Sequence, residues 1–392
     1  MAQQILVLAS PAIGGILQYN HAILSALASL GYSVTYVEEI PDALVKLLGP
    51  EGMERTRQRA DWFRSRQPSS IQRLWRETTA ATEMEQIVTD ANPDLLILSN
   101  GGPIVNFLPK RAAIRSGIPF IVVEHLVHPV KPKATPEAYA ELAQQYAAAK
   151  AVIAVSQNNL GLLRKLFGLA DDHGQVIYCG RPSQYFQPRD LDVRSRLRQQ
   201  WDIPNDAVVC FTAARLDIIK GYQYLLGAIK RLKQTPAWSN LYFAWAGTGT
   251  LEEHFRQAVQ QAGVGDRVKF LGELADITDW LDASDMFLLP SESEGLPLAI
   301  MEAMAKGLPV AATAVSGVPE GLGDTGQLLT SPMFGDSQAT IQELVTTIGR
   351  WASDATLRQK IGDAGRQRAE QLFREERMVE ETIAVVRGAI GE

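Results

Sequence analysis

The chain has 392 residues, of which 46% are hydrophobic and 21% charged, and its net charge is -6. That length exceeds one ordinary hydrophobic core and predicts two or three domains, while the mild charge excludes a general nucleic-acid binder. Cys179 and Cys210 are the two cysteines, too few and too far apart for a disulfide framework or a cysteine metal site, which fits a reducing, cytoplasmic setting. The opening MAQQILVLAS has no basic stretch ahead of a long apolar one, so a cleaved signal is not expected. No apolar run reaches the roughly 18 residues of a membrane-spanning helix.

In chain order, residues 5–8 (ILVL), 34–37 (VTYV), 95–98 (LLIL), 120–123 (FIVV) and 152–155 (VIAV) read as buried strands. Near-continuous apolar strands belong to parallel sheets covered on both faces. Between the first two, Ile23, Leu24, Leu27 and Leu30 form a helical stripe that Gly31 stops. The recurring βαβ unit predicts an α/β fold. Gly14 and Gly15 fall between the first strand and that helix, where glycine lets a backbone turn tightly or approach a ligand. From Arg55 to Arg76 seven arginines alternate with Trp62, Phe63 and Trp75. A solvated helical face explains them, and so does a surface for an anionic or lipid-linked acceptor at the inner face of a membrane. His125 follows the strand at 120–123, with His128 as a competing candidate.

Pro182, Pro188 and Pro204 then interrupt the alternation, and it restarts at 208–211, 241–245, 268–271, 286–289 and 310–312. Two doubly wound, Rossmann-like domains are predicted, at 1–185 and 186–370, with a helix at 371–392 crossing back to the first. Ligands of such sheets lie beyond the carboxyl ends of the strands. Directly after one strand come Arg215 and Lys220-Gly221, two cations able to clamp a diphosphate. The run from Gly247 to Glu252 lacks the third glycine of a dinucleotide fingerprint and reads as a tight strand-to-helix turn. Asp282 and Asp285 read as a helical pair, not as a metal-holding element, and no metal or cofactor is expected.

The richest segment follows the strand at 286–289. Glu294 falls in a polar turn, Pro297 opens a helix, and Glu302 projects from it. A fully helical span would separate the two carboxylates by roughly 12 Å, too wide for a glycosidase dyad and suited to two parts of one elongated ligand. The helix start between them offers free N–H groups to a phosphate.

This segment, with the stretch from Phe211 to Leu329, resembles the family-four glycosyltransferases of GT-B fold, and the likeness extends over nearly the whole chain. Glu294 to Glu302 reads as the family's E-x7-E element. The resemblance implies that Glu294 contacts the donor sugar and Glu302 the donor ribose. It implies that Arg215 and Lys220 neutralise the departing nucleoside diphosphate, with Gly14 and Gly15 near the donor phosphates and Gly295, Leu296 and Pro297 among the donor-binding residues. His125 is implied near the scissile bond, and the backbone of Gly272, Glu273 and Leu274 beside the base. A retaining, metal-independent transfer from a nucleotide sugar to an unidentified glycan, lipid-linked or small-molecule acceptor follows. Two departures stand out: Ser316, where the family carries a glycine, and Cys179-Gly180-Arg181-Pro182, where it carries Asn-Gly and an aliphatic residue. A sugar-nucleotide epimerase on the same architecture and a non-catalytic sugar-nucleotide binder remain the alternatives.

Overall fold

A computed structural model describes residues 2–10, 14–39, 68, 71–76, 81–128, 135–333 and 335–392. The chain forms two compact units, Met1–Gly180 with Glu375–Glu392, and Arg181–Arg374. The first change of unit falls ahead of residue 185, because Tyr185 and Phe186 are buried in the second unit, where the Arg374 guanidinium lies over the Phe186 ring.

Among the described residues the first unit carries a seven-stranded sheet. Its strands are β1 (Gln4–Ser10), β2 (Ser33–Glu39), β3 (Gln72–Arg76), β4 (Leu95–Asn100), β5 (Phe120–Glu124), β6 (Ala151–Ala154) and β7 (Gln175–Val176). They are ordered β3-β2-β1-β4-β5-β6-β7, and every pairing is parallel. Every residue of β4 and β5 is buried, as strands covered on both faces must be. The helix Gly14–Ser29 buries Leu17, Ile23, Leu24 and Leu27, and Gly31 ends it in the left-handed region at φ +89°. Leu30, expected on the same stripe, lies past the helix end and is 47% exposed. The last helix, Glu375–Ile390, packs on this first one, and Tyr19 Oη meets Thr382 Oγ1 at 3.0 Å between them.

The helical reading of the arginine-rich stretch needs correction at its end. Gln72–Arg76 is a strand, paired in parallel with β2 from Thr35 to Glu39. A run of five residues with Leu and Trp among polar ones does not by periodicity alone separate a strand from a helical stripe. Arg55, Arg57, Arg59, Trp62, Phe63, Arg64 and Arg66 lie outside the described residues.

The second unit, among the described residues, has a six-stranded sheet: β8 (Val208–Ala213), β9 (Leu241–Ala246), β10 (Val268–Gly272), β11 (Met286–Leu289), β12 (Val310–Thr313) and β13 (Gln327–Leu329). Its order is β10-β9-β8-β11-β12-β13, again all parallel. Both sheets therefore reverse direction beside their first strand, at β1/β4 and at β8/β11. At such a switch point the two flanking loops part and leave a crevice beyond the strand ends. Among the described residues no helix is long and apolar enough to cross a membrane.

Candidate functional site

The switch point of the second sheet brings the predicted Lys220 and Glu294 together. After β8 the chain passes Arg215 and enters a short 3-10 turn, Ile218–Lys220, capped by Asp217, whose carboxylate accepts from the Lys220 amide at 3.2 Å. After β11 it runs through Pro290 to Glu294 and enters the helix Leu298–Ala305, with Pro297 at its N-cap. The two loops are joined by the Glu292 amide, which donates to Ile219 O at 2.7 Å. Gly221 makes that approach possible. Its φ is +79°, and a β-carbon there would lie 1.9 Å from Pro290 O.

Lys220 Nζ reaches both Glu294 oxygens, at 2.8 and 2.9 Å, with the side chains 19% and 8% exposed. A charge-assisted contact of this kind is stronger than a neutral one and fixes the ammonium's position. The third Lys220 proton direction is left for another acceptor. Arg215, from the same loop, is 55% exposed and pairs with Asp217 at 3.1 Å rather than with Glu294. Gly295 and Pro297 are half-buried. Leu296 is 6% exposed, and its side chain packs toward Gly321, so any ligand contact at this position belongs to its backbone.

Glu302, on the same helix as expected, has a partner that spacing gave no sign of. Arg181 Nη2 stands 2.6 Å from Glu302 Oε1, and both side chains are almost wholly buried. Gly272 closes β10 at φ +70°, and its carbonyl accepts from the Gly247 amide at 2.7 Å. Glu273 beyond it is exposed and Leu274 half-buried. The Gly247–Gly249 turn presses on the Arg215 loop: a β-carbon on Gly247 would meet Ala214 O at 2.0 Å. The turn therefore braces the cation loop, which explains its glycines without a dinucleotide. Asp282 and Asp285 serve the scaffold, pairing with Lys306 at 2.9 Å and with Arg194 and Arg198 at 2.8 and 2.6 Å.

Ser316, the departure from glycine, adopts φ +47°. The next amide, Gly317 N–H, donates to Gly295 O at 3.0 Å. A non-glycine residue in that region costs about 1–2 kcal/mol, so the turn beside the Glu294 loop holds backbone strain.

In the first unit, His125 follows β5 directly. Its Nε2 lies 3.0 Å from Ser99 Oγ, and Tyr19 meets its ring edge-on at 5.0 Å. Behind it, Glu124 Oε1 accepts from Asn100 Nδ2 and from the Tyr146 hydroxyl, each at 2.8 Å. Ser99, Tyr19, Glu124 and Tyr146 carry no local motif, and sequence reasoning did not single them out. His128 is exposed. Gly14 and Gly15 are the first residues of their helix, not part of the turn before it, so their N–H groups lie at its free N-terminal end.

Burial pushes the His125 imidazole down to about 3, so the folded protein keeps it neutral where the unfolded chain protonates it below about pH 6.5. The unfolded state then binds the extra proton. The stability His125 contributes is present above about pH 6.5 and is lost as pH falls toward 3, by about 1.4 kcal/mol per pH unit. Burial raises Glu124, which acts in the opposite sense, so a difference between variants is needed to isolate the histidine. His125→Gln is expected to remove about 2 kcal/mol of the stability that the first unit loses between pH 6.5 and 5. Urea melts of both proteins at the two pH values check this, and parallel losses would show that His125 is not the group responsible.

Two family models match the chain: Glycosyltransferase Family 4 over residues 13–184, and Glycosyl transferases group 1 over residues 193–368. The chain is 27% identical to the MMP alpha-(1->4)-mannosyltransferase of Mycolicibacterium hassiacum over 230 residues, 57% of this chain and 50% of that protein. It spans about half the length of the curated relatives it matches. Among solved structures, a glycosyltransferase from Rickettsia africae superposes with a TM-score of 0.78 at 18% identity, covering 99% of both chains. The Anabaena protein Alr3699/HepE in complex with UDP-glucose superposes with a TM-score of 0.76 at 20% identity, covering 98% of this chain and 100% of that one. These likenesses establish the GT-B fold.

Proposed function

Because the chain belongs to the family-four glycosyltransferases of GT-B fold, we propose that it transfers a hexose from a nucleotide-sugar donor to an acceptor hydroxyl, with retention and without an obligatory metal. The observation that carries this is the Lys220–Glu294 pair at the β8/β11 switch point. One carboxylate there can receive sugar hydroxyls while the ammonium it holds faces the phosphate next to that sugar. A UDP-glucose complex of a structural neighbour and a mannosyltransferase among the relatives support a hexose donor.

In the transfer, the bond between the sugar C1 and the diphosphate oxygen breaks, and the leaving oxygen takes the electron pair. The acceptor oxygen bonds to C1 on the same face, and its proton passes to the departing phosphate. The protein's task is to stabilise the negative charge that grows on the leaving group. Lys220, Arg215 and the free N–H groups at the start of the helix Leu298–Ala305 carry it. His125, neutral and held against Ser99, serves as a hydrogen-bonding surface for a sugar rather than as a proton acceptor. The stretch from Arg55 to Arg76 is proposed to meet the phosphate of a lipid-linked acceptor, which would bring the protein to a membrane surface.

A thermal-shift screen with UDP, GDP, ADP and their common sugars tests the proposal, followed by NMR of the anomeric proton in the product. One nucleotide should stabilise the protein, and the product should keep the donor's anomeric configuration. Conversion of the sugar with no acceptor present would identify an epimerase instead. Stabilisation without turnover by any acceptor class would identify a binding protein.

A further inference from the structure

Arg181 is 3% exposed, yet carries a full charge. A buried guanidinium persists only when its charge is matched. Here Nη2 meets Glu302 Oε1 at 2.6 Å, and Cζ lies over the Tyr185 ring, 4.8 Å from its centre. The same short segment grips the loop after β10: Gln184 Nε2 donates to Asp276 Oδ2 at 2.8 Å, and the Tyr185 hydroxyl reaches Asp276 Oδ1 at 3.5 Å. Burial, and then the Glu302 charge, raise the Tyr185 phenol, so it stays a donor. Asp276 stands shortly after Gly272, Glu273 and Leu274, whose backbone is expected beside the base.

One segment thus fastens the carboxylate expected at the ribose and the loop expected at the base. We infer that Arg181 is a positioning residue of the nucleoside subsite, which orients the Glu302 carboxylate toward the ribose hydroxyls and, through Tyr185, sets its distance from the base-binding loop. This rests on the donor reading proposed above. A carboxylate offers about four lone-pair directions, so a guanidinium at Oε1 is compatible with hydroxyl donors on the same group. If Arg181 instead competed with the ribose, its removal would tighten binding, which is the opposite sign.

The test is calorimetric titration of the full chain with UDP, GDP and ADP, and with the 2′-deoxy counterpart of whichever binds. The wild-type protein is expected to favour the ribonucleotide by about tenfold, the scale of one hydrogen bond to a charged group. Glu302→Gln should reduce that ratio. Arg181→Leu should bring it close to one and weaken ribonucleotide binding by about tenfold, and Arg181→Lys should recover part of both. Because Arg181→Leu strands a buried carboxylate and can impair folding, Arg181→Leu/Glu302→Leu provides a second, charge-free variant that should show the same flat ratio. A folded Arg181→Leu protein that keeps the wild-type ratio, or binds more tightly, overturns the inference. Failure of the wild type to bind any of the three nucleotides would overturn the donor reading and this inference together. An unchanged ratio in Glu302→Gln would show that the ribose lies elsewhere and would overturn the inference alone.

Discussion

Lys220→Ala is expected to lower turnover with the donor that the nucleotide screen identifies by about 10²–10³-fold, the usual cost of removing one preorganised group from a developing negative charge. The ammonium sits on a capped turn, with two of its contacts spent on Glu294, so it is held in place without a ligand. Placement before reaction is what makes such a charge effective. Lys220→Ala also leaves Glu294, 8% exposed, without its cation. Two groups acting as a unit give non-additive losses, so Lys220→Ala/Glu294→Ala should cost clearly less than the two single losses combined. Steady-state rates for the single and double variants check both statements. Full turnover by Lys220→Ala would remove it from the chemistry, and additive losses would show that the pair is coincidental.

Gly221→Ala is expected to be the most damaging single methyl in the second unit. The added carbon would sit 1.9 Å from Pro290 O, a backbone atom, and the residue would remain at φ +79°. Left-handed strain and forced movement of a packed loop each cost about 1–3 kcal/mol. A total near 3 kcal/mol lowers the melting temperature of a unit this size by about 6–12 °C. Because the clash drives the Lys220 turn away from the Glu294 loop, activity should fall even below the melting range. A calorimetric scan together with an assay at 20 °C below the melting midpoint separates the two effects. A variant with unchanged midpoint and rate would mean that the loops are not in contact in solution.

Much of the framework was legible because of burial on both faces. Strands such as β4 and β5 must be apolar at every position, and such runs stand out against helical spacing. The pairing of Lys220 with Glu294 was half legible. Each residue belonged to a motif, but only the sheet order shows that the loops after β8 and β11 flank the same crevice. Arg181 illustrates what stays hidden. It is visible only as an unexpected residue in a turn, and the resemblance assigns its partner Glu302 to the donor ribose. A contact between segments so far apart in sequence leaves no periodicity to read. The strand β3 failed for a different cause, since five residues of mixed Arg, Leu and Trp do not distinguish an edge strand from a helix face. Ser99 and Glu124 are ordinary strand residues until the fold sets them around His125.

Arg181 and Arg374, the residues at which the chain enters and leaves the second unit, form a parallel bridge, and the Arg181 amide donates to Phe373 O at 2.7 Å. The second unit is therefore an insertion whose two ends meet, and it can close its own core from one continuous stretch of chain. The first unit cannot. Its first helix, Gly14–Ser29, packs on the helix Glu375–Ile390, which follows the insertion in the chain. The first unit therefore depends on a contact between Tyr19 and Thr382, 363 positions apart in the chain, of a kind that the second unit does not need.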